Sequence, residues 1–387
     1  MKKYNRLISI DKKVKQSFFL WGSRQCGKST LLNTLFPAVL KIDLLKSDVF
    51  AKYAAAPHLL REETASLPRG SLIIIDEFQK IPVLLDEVHG LIENQGLIFA
   101  LLGSSARKLR RSQANLLGGR AIRRLMYGFV SLELGSDFSL QQMLNQGYLP
   151  PLYLCPPDDW KRQILSYVGT YLQEEVESES QIRNLVRFSR FLECAALSDT
   201  ETVTFSTFAR DLGISAQTVR EYFSILEDSH MGSFLPAYTK RPKRRTVMAP
   251  KFYFHDVGFV NHLAHRGTLT PGGELWGKAF ENWMVHEIRS FNEYQNKLEP
   301  LFFWKLTGGR EVDLIIGHDA HTAIEIKSSQ NIQSDHLKGL REWKQEYPET
   351  SKCILIYNGD SLRKTEDGIE IMPATAFIQK LWAGEIY

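Results

Sequence analysis

The stretch Phe18-Phe-Leu-Trp21, followed at once by Gly22-Ser-Arg-Gln-Cys-Gly-Lys28-Ser29-Thr30, decides the fold. A short, unbroken apolar run suits a strand covered on both faces, the situation of a parallel strand. The segment after it fits GxxxxGK[ST] without a mismatch and opens a helix, the context that gives this spacing its meaning. Gly22 and Gly27 let the backbone curl so that its N–H groups and the helix start face one anion. Lys28 is then placed to reach the β/γ-phosphates of ATP and Ser29 to bind Mg²⁺, with Thr30 closing the nucleotide-binding set.

Reading outward, VLKIDL (39–44), LIIID (72–76) and LIFALLG (97–103) have the same texture, with helical stretches between them. They predict an α/β domain with a parallel sheet over residues 1–138. Leu72–Ile75 lead into Asp76-Glu77 at a strand end. Asp76 is expected to hold the Mg²⁺ shell, and Glu77 to orient and activate the attacking water. Ser104, in Leu101-Leu-Gly103-Ser104-Ser105, could donate to the γ-phosphate or to that water. Downstream lie Arg107, Arg110, Arg111, Arg120, Arg123 and Arg124. Arg120, after Gly118-Gly119, is the arginine expected to act on a neighbouring subunit's nucleotide.

The 387 residues are 43% hydrophobic and 24% charged, which excludes a disordered, collagenous or coiled-coil chain and leaves room for two or three domains. The net charge of +4 permits a nucleic-acid partner without requiring one. Four cysteines without a CxxC pair read as reduced thiols of a cytoplasmic protein, and no apolar run approaches the length needed to cross a bilayer.

The texture from about 140 to 235 is helical. It is read as a helical lid over 139–190 and a winged helix-turn-helix over 191–248. Phe205–Leu212, the Gly213-Ile214 turn and a helix from Ser215, its N-cap, carry the second assignment. That second helix sets Arg220 against Glu221, Glu227 and Asp228, a balance that disfavours insertion between phosphates and favours packing or subunit contact. Lys240–Arg245, five basic residues in six, is the best phosphate-contacting segment.

Residues 249–387 read helix, three strands, helix, strand. In TAIEIK, Glu325 and Lys327 share one strand face; in EVDLII, Glu311 and Asp313 do the same. A hairpin turning about Asp319 sets Asp313 opposite Glu325. Opposed carboxylates repel unless something positive lies between them, and a divalent metal with Lys327 is the expected source. Glu281, on the helix Trp276–Phe291, is a third acid at the margin of the apolar stripe. Glu281, Asp313 and Glu325 are thus expected to ligate Mg²⁺ or Mn²⁺, with Asp313, Glu325 and Lys327 acting on a phosphodiester.

The nucleotide loop, Asp76-Glu77-Phe-Gln79-Lys80-Ile-Pro82 and Gly103-Ser104-Ser105 resemble the archaeal-type AAA+ ATPases that carry a C-terminal domain of unknown function numbered 4143. Pro250-Lys-Phe-Tyr-Phe-His-Asp256-Val-Gly258 and Gly277-Lys-Ala-Phe-Glu281-Asn282 are similar to the junction before that last domain. The resemblance implies an AAA+ module, a helical lid, a winged helix and a restriction-endonuclease-like αβββαβ domain of the PD-(D/E)xK type. That signature maps onto Asp313, Glu325 and Lys327, with Glu281 as the helical acid. No lid arginine is assigned as a second nucleotide sensor; Arg183 and Arg187 are the candidates. A ring or filament of identical subunits follows from an arginine acting in trans.

The expected function is ATP hydrolysis that drives or gates a metal-dependent nuclease acting on DNA. The alternative is a regulatory ATP switch whose last domain binds DNA or a protein without cutting. A small-molecule kinase fits less well, because Glu77 beside Asp76 suits activation of water.

Overall fold

A computed structural model describes residues 4–105, 117–178, 185–239 and 246–387. The chain divides into two compact units, one of Met1–Gly128 with Ser224–Met231, the other of Phe129–Phe223 with Gly232–Tyr387.

In the first unit, β1 (Ser17–Trp21), β2 (Leu40–Asp43), β3 (Leu72–Asp76), β4 (Ile98–Gly103) and β5 (Ala121–Leu125) form one sheet in the order β2-β3-β4-β1-β5. Every pairing is parallel. The four anticipated strands form within a residue or two of their expected bounds. β5 is additional: its sequence, Ala-Ile-Arg-Arg-Leu, is not an apolar run, because it lies on the sheet's edge, with Ile122 and Arg123 exposed and Arg124 half-buried. Phe19, Trp21, Ile73, Ile75, Phe99 and Leu101 project from alternate positions of the inner strands into one buried cluster, which helix Leu84–Gln95 covers.

In the second unit, helix Leu185–Leu197, helix Phe205–Leu212 and helix Ala216–Asp228 as far as Phe223 precede a two-stranded antiparallel ribbon, β6 (Gly232–Leu235) with β7 (Lys251–Phe254). Ser215 caps as expected, its Oγ accepting from Thr218 N at 3.0 Å. Phe191, Phe205, Phe208, Phe234 and Phe252 all pack around Phe223, with ring centroids 4.8–5.8 Å from it. Lys240–Arg245, Arg107, Arg110, Arg111 and Arg183 lie outside the described residues.

Besides helices within 131–178 and the helix Val257–Leu263, this unit holds a six-stranded mixed sheet, β12-β13-β11-β10-β9-β8. Helix Glu274–Tyr294 comes first, then β8 (Leu301–Lys305), β9 (Glu311–Ile316) and β10 (Thr322–Lys327). Helix Lys338–Glu346, β11 (Lys352–Tyr357), β12 (Arg363–Lys364), β13 (Glu370–Pro373) and helix Ala374–Trp382 follow. The αβββαβ order is present, and β12, β13 and the last helix extend it. β9 and β10 pair Thr322 with Ile316, Ala323 with Ile315 and Ile324 with Leu314, so the hairpin is centred on residue 319 as the sequence required.

Candidate functional site

The loop Gly22–Gly27 leaves the end of β1, and helix Lys28–Leu35 starts directly after it. Gly27 adopts φ 105°, a left-handed conformation that strains any residue with a Cβ. Gly22 is needed for a different reason: a Cβ there would stand 2.2 Å from Met126 O. Lys28 is buried, and its ammonium donates to Gly22 O at 2.7 Å and Ser23 O at 3.0 Å, which ties the loop into a ring. Arg6 supports the loop from outside, donating to Cys26 O at 2.6 Å and to Tyr127 O and Gly128 O at 2.7 and 2.8 Å.

Because β4 lies between β1 and β3, the ends of all three strands open on the same edge of the sheet. Ser29 Oγ donates to Asp76 Oδ2 at 2.5 Å, bringing together the two residues expected to hold Mg²⁺. Burial pushes the Asp76 carboxyl up, and the Ser29 hydrogen bond works against it. A hydroxyl and a carboxylate beside a lysine-tipped loop are the donor set that a nucleotide-bound Mg²⁺ requires, so the residues present fit ATP with Mg²⁺.

Glu77 follows Asp76 in the left-handed region, φ 55°, a strained conformation for a non-glycine residue. Its Oε2 accepts from Ser104 Oγ at 3.0 Å and from Gln79 Nε2, and Gln79 Nε2 also donates to Ser104 Oγ at 3.2 Å. Ser104 thus touches the expected base directly. Gln79, which sequence reasoning did not single out for chemistry, closes the triangle from a short 3₁₀ turn, Phe78–Lys80. Thr30 is the third residue of the helix and exposed.

Arg120 stands elsewhere. It lines a cleft with Lys15, Ser17, Arg69 and Ile98, at the starts of β1 and β4 rather than at their ends. Its guanidinium pairs with Glu93 and donates to Gly118 O at 3.1 Å. Within its own subunit it therefore lies at the edge of the sheet opposite the nucleotide loop.

In the second unit, the sheet acids gather. Asp313 and Glu325 are 5% and 6% exposed, so the strand face they share is interior and not solvated. Asp313 Oδ2 accepts from Ile326 N at 2.8 Å, and Lys327 Nζ lies 2.5 Å from Glu325 Oε1. Glu281 turns inward to the same place, accepting from Tyr253 OH at 2.6 Å. Burial drives Glu281 up to about 7 despite Lys251, and drives Glu325 well above the carboxylate range, with Asp313 adding to the effect. Glu311 is the exception: burial acts upward, but Lys251 and Lys305 together hold it below the usual value.

A lysine stands where the sequence led to the expectation of a metal. Lys251, 3% exposed, projects from β7 into the acids, its ammonium 3.0 Å from Glu281 Oε1, 3.6 Å from Asp313 Oδ1 and paired with Glu311. The positive charge that Asp313 and Glu325 required is present as lysines. Among the described residues, no group of three His, Cys, Asp or Glu side chains is arranged to hold a metal ion. Glu281 and Asp313 meet around Lys251, and Glu325 pairs with Lys327. The signal for Lys251 was available in Lys-Phe-Tyr-Phe, where strand alternation puts Lys251 and Tyr253 on one face and Phe252 and Phe254 on the other.

Residues 14–134 match the model of a family described as AAA domain. Residues 137–270 and 276–377 match models described as domains of unknown function, DUF8612 and DUF4143. No curated protein matches the chain. Among solved structures it is similar to the Orc1 protein of Aeropyrum pernix in complex with DNA, at 13% identity and TM-score 0.25, over 65% of this chain and 86% of that one. It is also similar to a signal transduction ATPase with a tetratricopeptide repeat sensor from Pyrococcus horikoshii, at 14% identity and TM-score 0.22, over 74% of this chain and 46% of that one. Likenesses this small carry no inference about function. No described helix is long and apolar enough to cross a membrane. By these matches, residues 14–134 are similar to an AAA domain and residues 276–377 to a DUF4143 domain.

Proposed function

We propose that this ATPase binds ATP with Mg²⁺ on Gly22, Gly27, Lys28, Ser29, Thr30 and Asp76, hydrolyses it with Glu77 as the base, and uses the cycle as a switch. The observation that carries the reading is the Ser29–Asp76 contact with Glu77 held beside it. Mg²⁺ supplies charge neutralisation on the β- and γ-phosphates. Lys28 binds the same oxygens, Glu77 takes a proton from the attacking water, and Ser104 with Gln79 fixes the carboxylate that does so. Arg120 of one subunit acts on the nucleotide of the next, which makes the working form a homo-oligomer. The helix-turn-helix with its β6–β7 ribbon serves as a winged helix, and Lys240–Arg245 in its connection provides phosphate contacts to DNA.

The C-terminal domain, in this reading, recognises DNA or a protein partner and does not cut. Metal-dependent cleavage is the second reading, favoured by Asp313, Glu325 and Lys327 and by Glu325 Oε2, which is buried without a hydrogen-bond partner. The test is ATP turnover and DNA binding by the full chain with Mg²⁺, scored beside nicking of supercoiled DNA with Mg²⁺ or Mn²⁺. ATP-dependent DNA or protein binding with intact DNA supports the switch. Nicking that disappears in Asp313→Ala establishes cleavage instead, and absence of ATP turnover removes both.

A further inference from the structure

Lys251 reaches the acids from outside the DUF4143 match: β7 belongs to the preceding matched segment, 137–270, while Glu281, Glu311, Asp313 and Glu325 belong to 276–377. We infer that Lys251 is a permanent internal cation that takes the place of a divalent metal, so that the last domain is a lysine-centred carboxylate cage and not a metal centre. The inference rests on the non-cleaving reading above and supplies its physical cause.

Three observations carry it. The first is position. The ammonium lies 3.0 Å from Glu281 and 3.6 Å from Asp313 and pairs with Glu311. A divalent ion would have to approach the same oxygens to about 2.0–2.6 Å, and so would meet a like charge at close range in a buried site.

The second is charge. Glu281, Glu311, Asp313 and Glu325 are answered by Lys251, Lys305, which holds Glu311 at 2.7 Å, and Lys327, which holds Glu325. Four carboxylates against three ammoniums leave one formal negative charge, and a divalent ion added beside the three lysines would turn that into one positive charge. The lysines thus come within one charge of neutralising the acids without a metal.

The third is rigidity. Lys251 pairs across to Leu235 of β6 and, on its other edge, forms a bridge with Thr202. Its ammonium stands over the Phe303 ring, 5.7 Å from the centroid. Pairing on both edges fixes the backbone from which the side chain projects, and burial of that side chain limits where the ammonium can go. Tyr253, next on the same face, holds Glu281 and fixes the acid that the ammonium meets.

Nucleotide-free full-length protein is titrated with Mn²⁺, and bound ion is counted from the loss of the free-ion electron paramagnetic resonance signal. Wild type and Asp313→Asn are expected to bind the same number of ions, because the cage takes none. Lys251→Ala is expected to bind about one more. Its melting temperature should fall by about 10 °C in chelator and recover in part when Mn²⁺ is added. A wild-type ion that is lost in Asp313→Asn or Glu325→Gln overturns the inference, and so does a Lys251→Ala variant that folds but gains none. If Lys251→Ala fails to fold, the comparison of wild type with Asp313→Asn decides alone. The ion count is independent of ATP turnover and of partner binding, so failure of the inference and failure of the switch reading are told apart.

Discussion

Ser29 and Asp76 are 47 residues apart in the chain, yet the Ser29 hydroxyl donates to the Asp76 carboxylate at 2.5 Å. The contact forms because β1 and β3 run parallel on either side of β4, which delivers a loop and an acid to one sheet edge. An ion held by these two groups would touch the phosphates that Lys28 and the loop backbone grip, and Glu77 is one residue away.

Lys28→Ala removes both the phosphate partner and the tie to Gly22 O and Ser23 O. Nucleotide binding should disappear, measured by titration with a fluorescent ATP analogue. Wild-type affinity in this variant would exclude the loop as the nucleotide site.

Glu77→Gln keeps the shape of the side chain but cannot accept a proton. ATP should still bind, while turnover falls by about 10²–10⁴-fold, the usual worth of a positioned base. Unchanged turnover would reassign the base.

Gln79→Ala removes a donor to Glu77 and to Ser104 while leaving the base in place. Its expected signature is a lower kcat with KM for ATP nearly unchanged, accompanied by a shifted pH profile of kcat. A change confined to KM would make Gln79 a structural residue.

Glu287 gives a pH dependence of stability. Burial raises it to about 7 from 4.5, although it accepts from Ser131 N at 2.7 Å and from Trp283 Nε1 at 3.2 Å. A carboxyl raised in the folded state binds its proton more tightly there, so it stabilises the fold below 4.5 and loses that contribution as pH rises to 7. The loss is on the order of 3 kcal/mol. Urea unfolding of the wild type should be harder at the acid end of this window than at the neutral end, and Glu287→Gln should flatten the slope. An equal slope in the variant would assign the pH dependence to other groups.

Phe223 is the hub of the aromatic cluster around β6 and β7, in contact with rings from both helices before it and from the ribbon. Phe223→Ala should cost about 3–5 kcal/mol, read by chemical denaturation, because the surrounding rings cannot close over the cavity. A loss below about 1 kcal/mol would mean that the ribbon is not held by this core.

The amino-acid sequence alone determined the parallel sheet, the loop Gly22–Thr30, the Asp76-Glu77 pair and the β9–β10 register. Each is written in local signals: continuous apolar runs, a fixed glycine–lysine spacing, and a turn whose centre sets every pair in the hairpin. β5 escaped because an edge strand need not be apolar on both faces, and Gln79 escaped because nothing in its neighbours announces what its amide will touch. The neutralising partner of the C-terminal acids was decided by tertiary structure alone. Strand alternation could show that Asp313 and Glu325 face something positive, but not that Lys251, more than 60 positions before Asp313, would arrive on another strand ahead of any metal. Charge demand is a local property of a sequence; the choice of what satisfies it depends on which distant side chain folding brings within 3 Å.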